Sequence, residues 1–222
     1  MKFIFKMTFS LILLKIAFFS LASEQNNNIP KDIFNIDEKK FEELREAYKE
    51  RPKPKNLDFD EKNVEKYIAS LPENLRDGER ERFNIIKGTK DQIYRLFERN
   101  SMEIKDSIKL TSGKSIRGTI AMANENGFIV RKGSRKGKTY KWDDLSFQGY
   151  TEILEYFAEK RLKVKVANIS EEENKKYAAN DYILLTLLCD WYGEYAGSIK
   201  YAQKAVNIRP DIKDKLNELL FK

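Results

Sequence analysis

Around Ser107 the chain changes its period. Before and after it, apolar residues recur with the 3.6-residue period of amphipathic helices, but from Ser107 to Gly149 they alternate with polar ones in short runs broken by turn residues. Ile108 and Leu110 flank Lys109, Ser112-Gly113 is a turn, and Ile116, Gly118 and Ile120 resume the alternation. Asn124-Glu125-Asn126-Gly127 is a hairpin signal, because glycine can take a positive φ. Phe128-Ile129-Val130 reads as a third strand, Gly133 to Gly137 as a basic turn, and Lys138 to Trp142 as a fourth strand. Strands this short at this spacing predict a small, strongly curved antiparallel unit. Ile108, Leu110, Ile116, Ile120, Ile129 and Val130 are its expected core, and Gly118 marks a place where a side chain would crowd the next strand.

The flanks predict helices. Asp37 can cap one running to about Lys49, with Phe41, Leu44 and Tyr48 on one face, and Arg51-Pro52-Lys53-Pro54 ends it. Asp60 opens a second. Ser70-Leu71-Pro72-Glu73 and Thr89-Lys90-Asp91-Gln92 have the pattern of capping boxes for a third and a fourth. After the strands a helix is expected from about Tyr150 to Lys160, then a short strand or linker over 162–169. Ser170-Glu171-Glu172-Glu173 opens a long helix whose stripe of Tyr177, Ile183, Leu184, Leu187, Leu188 and Trp191 is broken at Gly193. A partner follows from about Ala196 to Ile208, and Asp211 is placed to cap a last helix. Residues 170–210 are expected to form a hairpin in which Leu184, Leu188 and Trp191 face Ile199, Tyr201 or Ala202. The fold class is α+β. The divisions are 1–22, 23–36 (a polar tether), 37–102 (helical), 103–149 (strands) and 150–222 (helical).

The first segment predicts a destination. Met1 to Lys6 is a short basic start, Met7 to Leu21 is mostly apolar, and Ser20-Leu21-Ala22 has the small residues that signal peptidase requires. Lys15 and the shortness of the run speak against a membrane span. The expectation is a cleaved signal peptide and a periplasmic or secreted protein, with no stable membrane span after cleavage. Removing Lys2, Lys6 and Lys15 lowers the formal charge from +7 to +4, while residues 105–149 alone carry ten basic and four acidic side chains. Charge this localised is a surface feature.

Chemistry is sparse. Of 222 residues none is His and one is Cys, which removes the commonest general base, the usual metal ligand and any intrachain disulfide. Gly133 to Thr139 imitates a phosphate-binding loop, but the spacing is one residue short and a strand, not a helix, is expected after it. Asp143-Asp144 has no partner acid or nucleophile and reads as a turn. No catalytic constellation, cofactor site or metal site is expected, so the chain reads as non-enzymatic. The candidate partner-binding residues are Arg117, Arg131, Lys132, Arg135, Lys136, Lys138, Tyr140, Lys141 and Trp142.

Two resemblances sharpen this reading. Ser112-Gly113-Lys114, Arg117-Gly118-Thr119, Asn126-Gly127, Phe128-Ile129-Val130 and Trp142-Asp143-Asp144-Leu145-Ser146 resemble the small SH3-like barrels, including Sm-like folds and the homology domain of an endocytic actin adaptor, over residues 107–148. A fifth strand is not visible straight after Leu145; Lys163-Val164-Lys165-Val166 could supply one. Trp191-Tyr192-Gly193-Glu194-Tyr195-Ala196-Gly197-Ser198-Ile199, with Tyr201-Ala202, Ala205 and Pro210, is similar to one tetratricopeptide repeat over residues 179–212. The resemblances imply a basic barrel between helical regions, acting as an exported interaction or scaffold protein for a protein partner or an anionic polymer. The alternative is Sm-like nucleic-acid binding, with Tyr140, Trp142 and Phe128 stacking on bases, which export disfavours.

Overall fold

Eight α-helices and one four-stranded sheet make up the described residues of a computed structural model, which describes residues 38–98, 100–134, 136–163 and 169–221. All of them fall in a single unit, Asp37–Lys222. The expected signal segment and tether lie outside the described residues. The order is α1 (Glu38–Ala47), α2 (Glu61–Ser70), α3 (Glu73–Ile86), α4 (Thr89–Phe97), β1 (Met102–Lys109), β2 (Ser115–Asn124), β3 (Gly127–Arg131), β4 (Lys138–Tyr140), α5 (Phe147–Lys163), α6 (Glu171–Tyr192), α7 (Tyr195–Ile208) and α8 (Lys213–Phe221). Short 3-10 turns stand at Trp142–Asp144 and Pro210–Ile212. The fold is mixed α+β. Among the described residues no helix is long and apolar enough to cross a membrane.

The sheet is an antiparallel meander in the order β1-β2-β3-β4, and it is not closed. One isolated bridge, Leu110 to Leu145, brings the chain after the 3-10 turn back beside the end of β1. Thr111 N donates to Asp144 O at 2.9 Å and Ser146 N to Lys109 O at 3.2 Å around it. Register shifts between Ile104 and Ile108 on β1 and between Ile120 and Met122 on β2 mark bulges, which bend strands. Gly118 sits at φ +126°, and a Cβ there would collide with the Arg131 carbonyl oxygen, so the expected crowding is present. Ile108, Leu110, Ile116, Ile120 and Val130 are buried as expected. Ile129 is not in the core. It alternates with buried Phe128 and Val130, and the two-residue period turns it to the other face. The fourth strand stops at Tyr140, and Trp142 belongs to the 3-10 turn.

The sheet's inner face rests on α4 and α5, and α5 in turn packs on α6. Phe97 and Phe157 join α4 to α5 edge to face, with centroids 5.1 Å apart. The α6–α7 pair turns at Gly193, which is left-handed at φ 78°, and its N–H reaches back to Asp190 O. Gly197 lets the two helices close up, since a Cβ there would stand 3.0 Å from Cys189 Sγ. Trp191 is fully buried, but its ring contacts are with Phe59, Tyr67 and Phe83 from the N-terminal helices and the loop between them. Its Nε1 donates to Pro52 O at 2.8 Å. The long helix is therefore clasped by the N-terminal region as well as by α7.

Helix ends follow the sequence unevenly. Asp60 caps α2, accepting from Lys62 N and Asn63 N. Ser170 and Glu173 form the full reciprocal box at α6. The two other expected boxes do not form. Ser70 Oγ donates to Tyr67 O and Thr89 Oγ1 to Ile86 O, so each hydroxyl closes the preceding helix and does not open the next. Asp211 pairs with Arg209 within a 3-10 turn and does not cap α8. The segment after α5 proposed as a strand falls mostly on Val164–Asn168, outside the described residues.

Candidate functional site

Cross-strand partners share a face of a sheet, so the register places each candidate residue. Tyr140 is opposite Phe128 and Lys138 is opposite Val130, which puts both on the core side at the rim of the sheet. Tyr140 is half-buried and stacks on Phe128, with centroids 5.6 Å apart and ring planes 16° from parallel. Lys138 Nζ lies 5.0 Å from the Tyr140 ring centroid. Arg131 is opposite Thr119 on the outer face, and Arg117 falls on that face too, because Ile116 and Ile120 on either side point inward. Lys132, Lys136 and Lys141 are exposed in the segments that flank β4. Arg135 lies outside the described residues.

Trp142 does not belong to this surface. It is 3% exposed, and its ring is enclosed by Tyr94, Phe128 and Tyr150 at 5.2, 5.2 and 6.2 Å. Its Nε1 donates to Asn124 O at 2.6 Å, and Tyr150 Oη donates to Trp142 O at 2.8 Å. The indole thus pins the 3-10 turn to the β2–β3 turn and to α5. Phe128, at 1% exposure, is also core. Of the three aromatics expected to stack on bases, only Tyr140 remains partly open. Asp143 and Asp144 are turn residues: Asn56 Nδ2 donates to Asp143 Oδ1 and Lys141 N to Asp144 Oδ2.

Among the described residues Arg117, Arg131, Lys132, Lys136, Lys138 and Lys141 make no ion pair. The helical part is different. Arg51, 4% exposed, is held by Glu79 through Nε at 2.5 Å and Nη2 at 2.8 Å, and by Asp190 at 2.7 Å. Arg82 adds a 2.8 Å bond to Glu79 and donates through Nε to Leu219 O. Burial alone would raise the Glu79 carboxyl, but the guanidinium of Arg51 and then that of Arg82 outweigh it and hold it below the usual carboxylate range. At the α5–α7 contact Glu155 accepts from Lys200, Lys204 and Tyr201, and these bonds depress it against a smaller burial effect than at Glu79.

Sequence analysis singled out neither cluster. Nothing in spacing marks them, since Arg51 reaches Asp190 across 139 residues of chain. Cys189 is buried, and burial pushes its thiol up to about 12, which suits a small apolar filler. Among the described residues no cluster of three or more His, Cys, Asp or Glu side chains is placed to hold a metal ion. After Gly133 to Gly137 the chain enters β4, so the loop lacks the helix that a phosphate-binding loop requires. Compared with protein-family models, with curated proteins and with solved structures, the chain matches none.

Proposed function

We propose that this is a non-enzymatic, exported interaction or scaffold protein whose cationic surface, formed by Arg117, Arg131, Lys132, Lys136, Lys138 and Lys141 with Tyr140, binds an anionic or peptide partner. The observation that carries the reading is the absence of counterions among the described residues at those six side chains, which stand close together in sequence, whereas the buried cations Arg51 and Arg82 of the helical part are paired. Five of the six lie on or beside the β3–β4 hairpin, divided between its two faces, with Arg117 on the neighbouring β2; like charges this close repel one another, and an acidic partner relieves that repulsion. The finer fold reading is a small SH3-like barrel. The Leu110–Leu145 bridge after a 3-10 turn supports it, because closure requires the chain beyond β4 to return to β1. The tetratricopeptide-like reading of the α6–α7 pair draws support from the Gly193 turn and the close approach at Gly197. A single repeat of this kind docks on its neighbours and does not form a binding solenoid alone.

Export rests on the basic start, the apolar run and Ser20-Leu21-Ala22. N-terminal mass spectrometry after expression in a secreting host checks it: a chain beginning near Ser23 is expected, and a cytosolic chain still beginning at Met1 refutes it. Surface binding is checked by titrating the purified protein with heparin, poly-glutamate and anionic lipid vesicles at rising salt. At least one should bind, and binding should fall as ions screen the exposed charges over roughly 8 Å at physiological ionic strength. No binding at low salt, or binding indifferent to salt, contradicts the reading.

A further inference from the structure

The open edge of β4 has a geometry of its own. In the order β1-β2-β3-β4, one side of β4 is paired with β3, and the other is paired with no strand among the described residues. The backbone stays extended through Lys141, at φ −83° and ψ 156°, but the Lys141 N–H and C=O are already taken by Asp144, so the open edge ends at Tyr140. Lys138, Thr139 and Lys141 are exposed and Tyr140 is half-buried, so nothing among the described residues covers this edge. A bare strand edge offers N–H and C=O groups to any extended chain.

Lysine on an edge strand ordinarily keeps other strands away. One is enough for that. Here Lys138 lies on the edge, Lys136 just precedes it and Lys141 just follows it, with no ion pair among the described residues. The alternation of a strand divides them between its two faces: Lys138 shares the core-side face with Tyr140, and Lys141 falls on the other with Thr139. An incoming uncharged strand would desolvate these ammonium groups without compensation. A strand carrying carboxylates would set them opposite the lysines while its backbone completed the ladder. An antiparallel second copy pairing through β4 would bring lysine towards lysine, which the same argument disfavours.

We infer that β4 takes up an acidic, extended peptide as an added fifth strand. The inference rests on the cationic-surface reading and adds to it a site, a conformation and a partner class. The test uses two blocked heptapeptides of equal charge, one alternating glutamate with valine and one alternating glutamate with proline. In the second peptide proline removes the N–H groups of one edge and N-methylation of its glutamates removes those of the other, so it completes no ladder and reports charge alone.

The glutamate–valine peptide should bind about tenfold or more tightly than the glutamate–proline peptide, the equivalent of about 1.4 kcal/mol. N-methylation at alternate residues along one edge should abolish that advantage, and along the other edge should leave it. Lys138→Glu should weaken the glutamate–valine peptide about tenfold with no change in thermal midpoint. Bound peptide should slow amide exchange within Lys138–Tyr140. Equal affinity of the two peptides overturns strand addition; if heparin still binds, the cationic surface stands without it. If neither peptide nor heparin binds, both readings fall. A concentration-dependent dimer abolished by Lys138→Glu would mean that a second copy occupies the edge, and would also overturn the inference.

Discussion

Arg51 and Lys138 are both cations lying against a tyrosine ring, at 4.0 Å from the centroid of Tyr48 and 5.0 Å from that of Tyr140. There the likeness ends. Arg51 is buried among Glu79, Asp190 and Arg82, two carboxylates against two guanidinium groups, and it ties the end of the first helical segment to α3 and α6. Lys138 is exposed and has no carboxylate among the described residues. The buried network adds little net stability compared with apolar packing of the same volume, yet removing one member strands the others in a dry environment. The exposed cations add almost nothing to folding, so they can be removed almost freely. The buried charge of the helical part is therefore structural, and the exposed charge on the sheet is available for something else.

The largest expected effect tests the buried side. Glu79→Gln leaves Arg51 and Arg82 short of their shared carboxylate and should cost about 3–5 kcal/mol in denaturant unfolding. A loss below about 1 kcal/mol would mean that water reaches the network, and the contrast with the sheet would blur. Trp191→Ala should be of similar size, about 3–5 kcal/mol, because the indole is fully enclosed. An unchanged thermal melt would contradict that packing.

Acidity provides an independent handle on the network. The folded Glu79 carboxyl is held below its ordinary value of 4.5. A depressed carboxyl contributes stability that is complete above the ordinary value and is lost as pH falls through the lowered one. The parent should therefore weaken on its acid limb below about pH 4.5, and Glu79→Gln should show a shallower limb than the parent. Glu155 contributes to the same limb in the same sense. Identical slopes for parent and variant would contradict the pairing.

A smaller effect tests the sheet. Trp142→Phe keeps the ring packing but leaves the Asn124 carbonyl without its 2.6 Å donor, and should cost about 1–3 kcal/mol. If it instead altered ligand affinity with stability unchanged, the indole would belong to the binding surface after all.

How much of this was legible depended on how local each determinant is. The alternation over Ile116–Ile120, the Asn126-Gly127 turn and the Ser170–Glu173 box act within a few residues, and each appears as read. The boxes at Ser70 and Thr89 match the same pattern but fail, because short connections let each hydroxyl cap the helix behind it. β1 begins at Met102, earlier than the alternation suggested, since its bulge before Ile108 interrupts the period. Ile129 was assigned inward together with Val130, although the two-residue period pairs Val130 with Phe128 there. The Arg51 network and the burial of Trp142 depend on contacts between distant segments, which no local pattern reports. Seven candidate cations could be picked out because composition alone reveals crowding, while the lack of counterions at the six described ones required the fold.

The account's central claim is that the hairpin cations serve binding and not folding, and one variant tests it most directly. Lys132→Glu combined with Lys136→Glu reverses two exposed charges outside the core. Unfolding free energy should stay within about 0.5 kcal/mol of the parent. Affinity for heparin or poly-glutamate at low salt should fall by about tenfold or more. A double variant that keeps its stability and still binds every anionic ligand of the parent as tightly would contradict the claim.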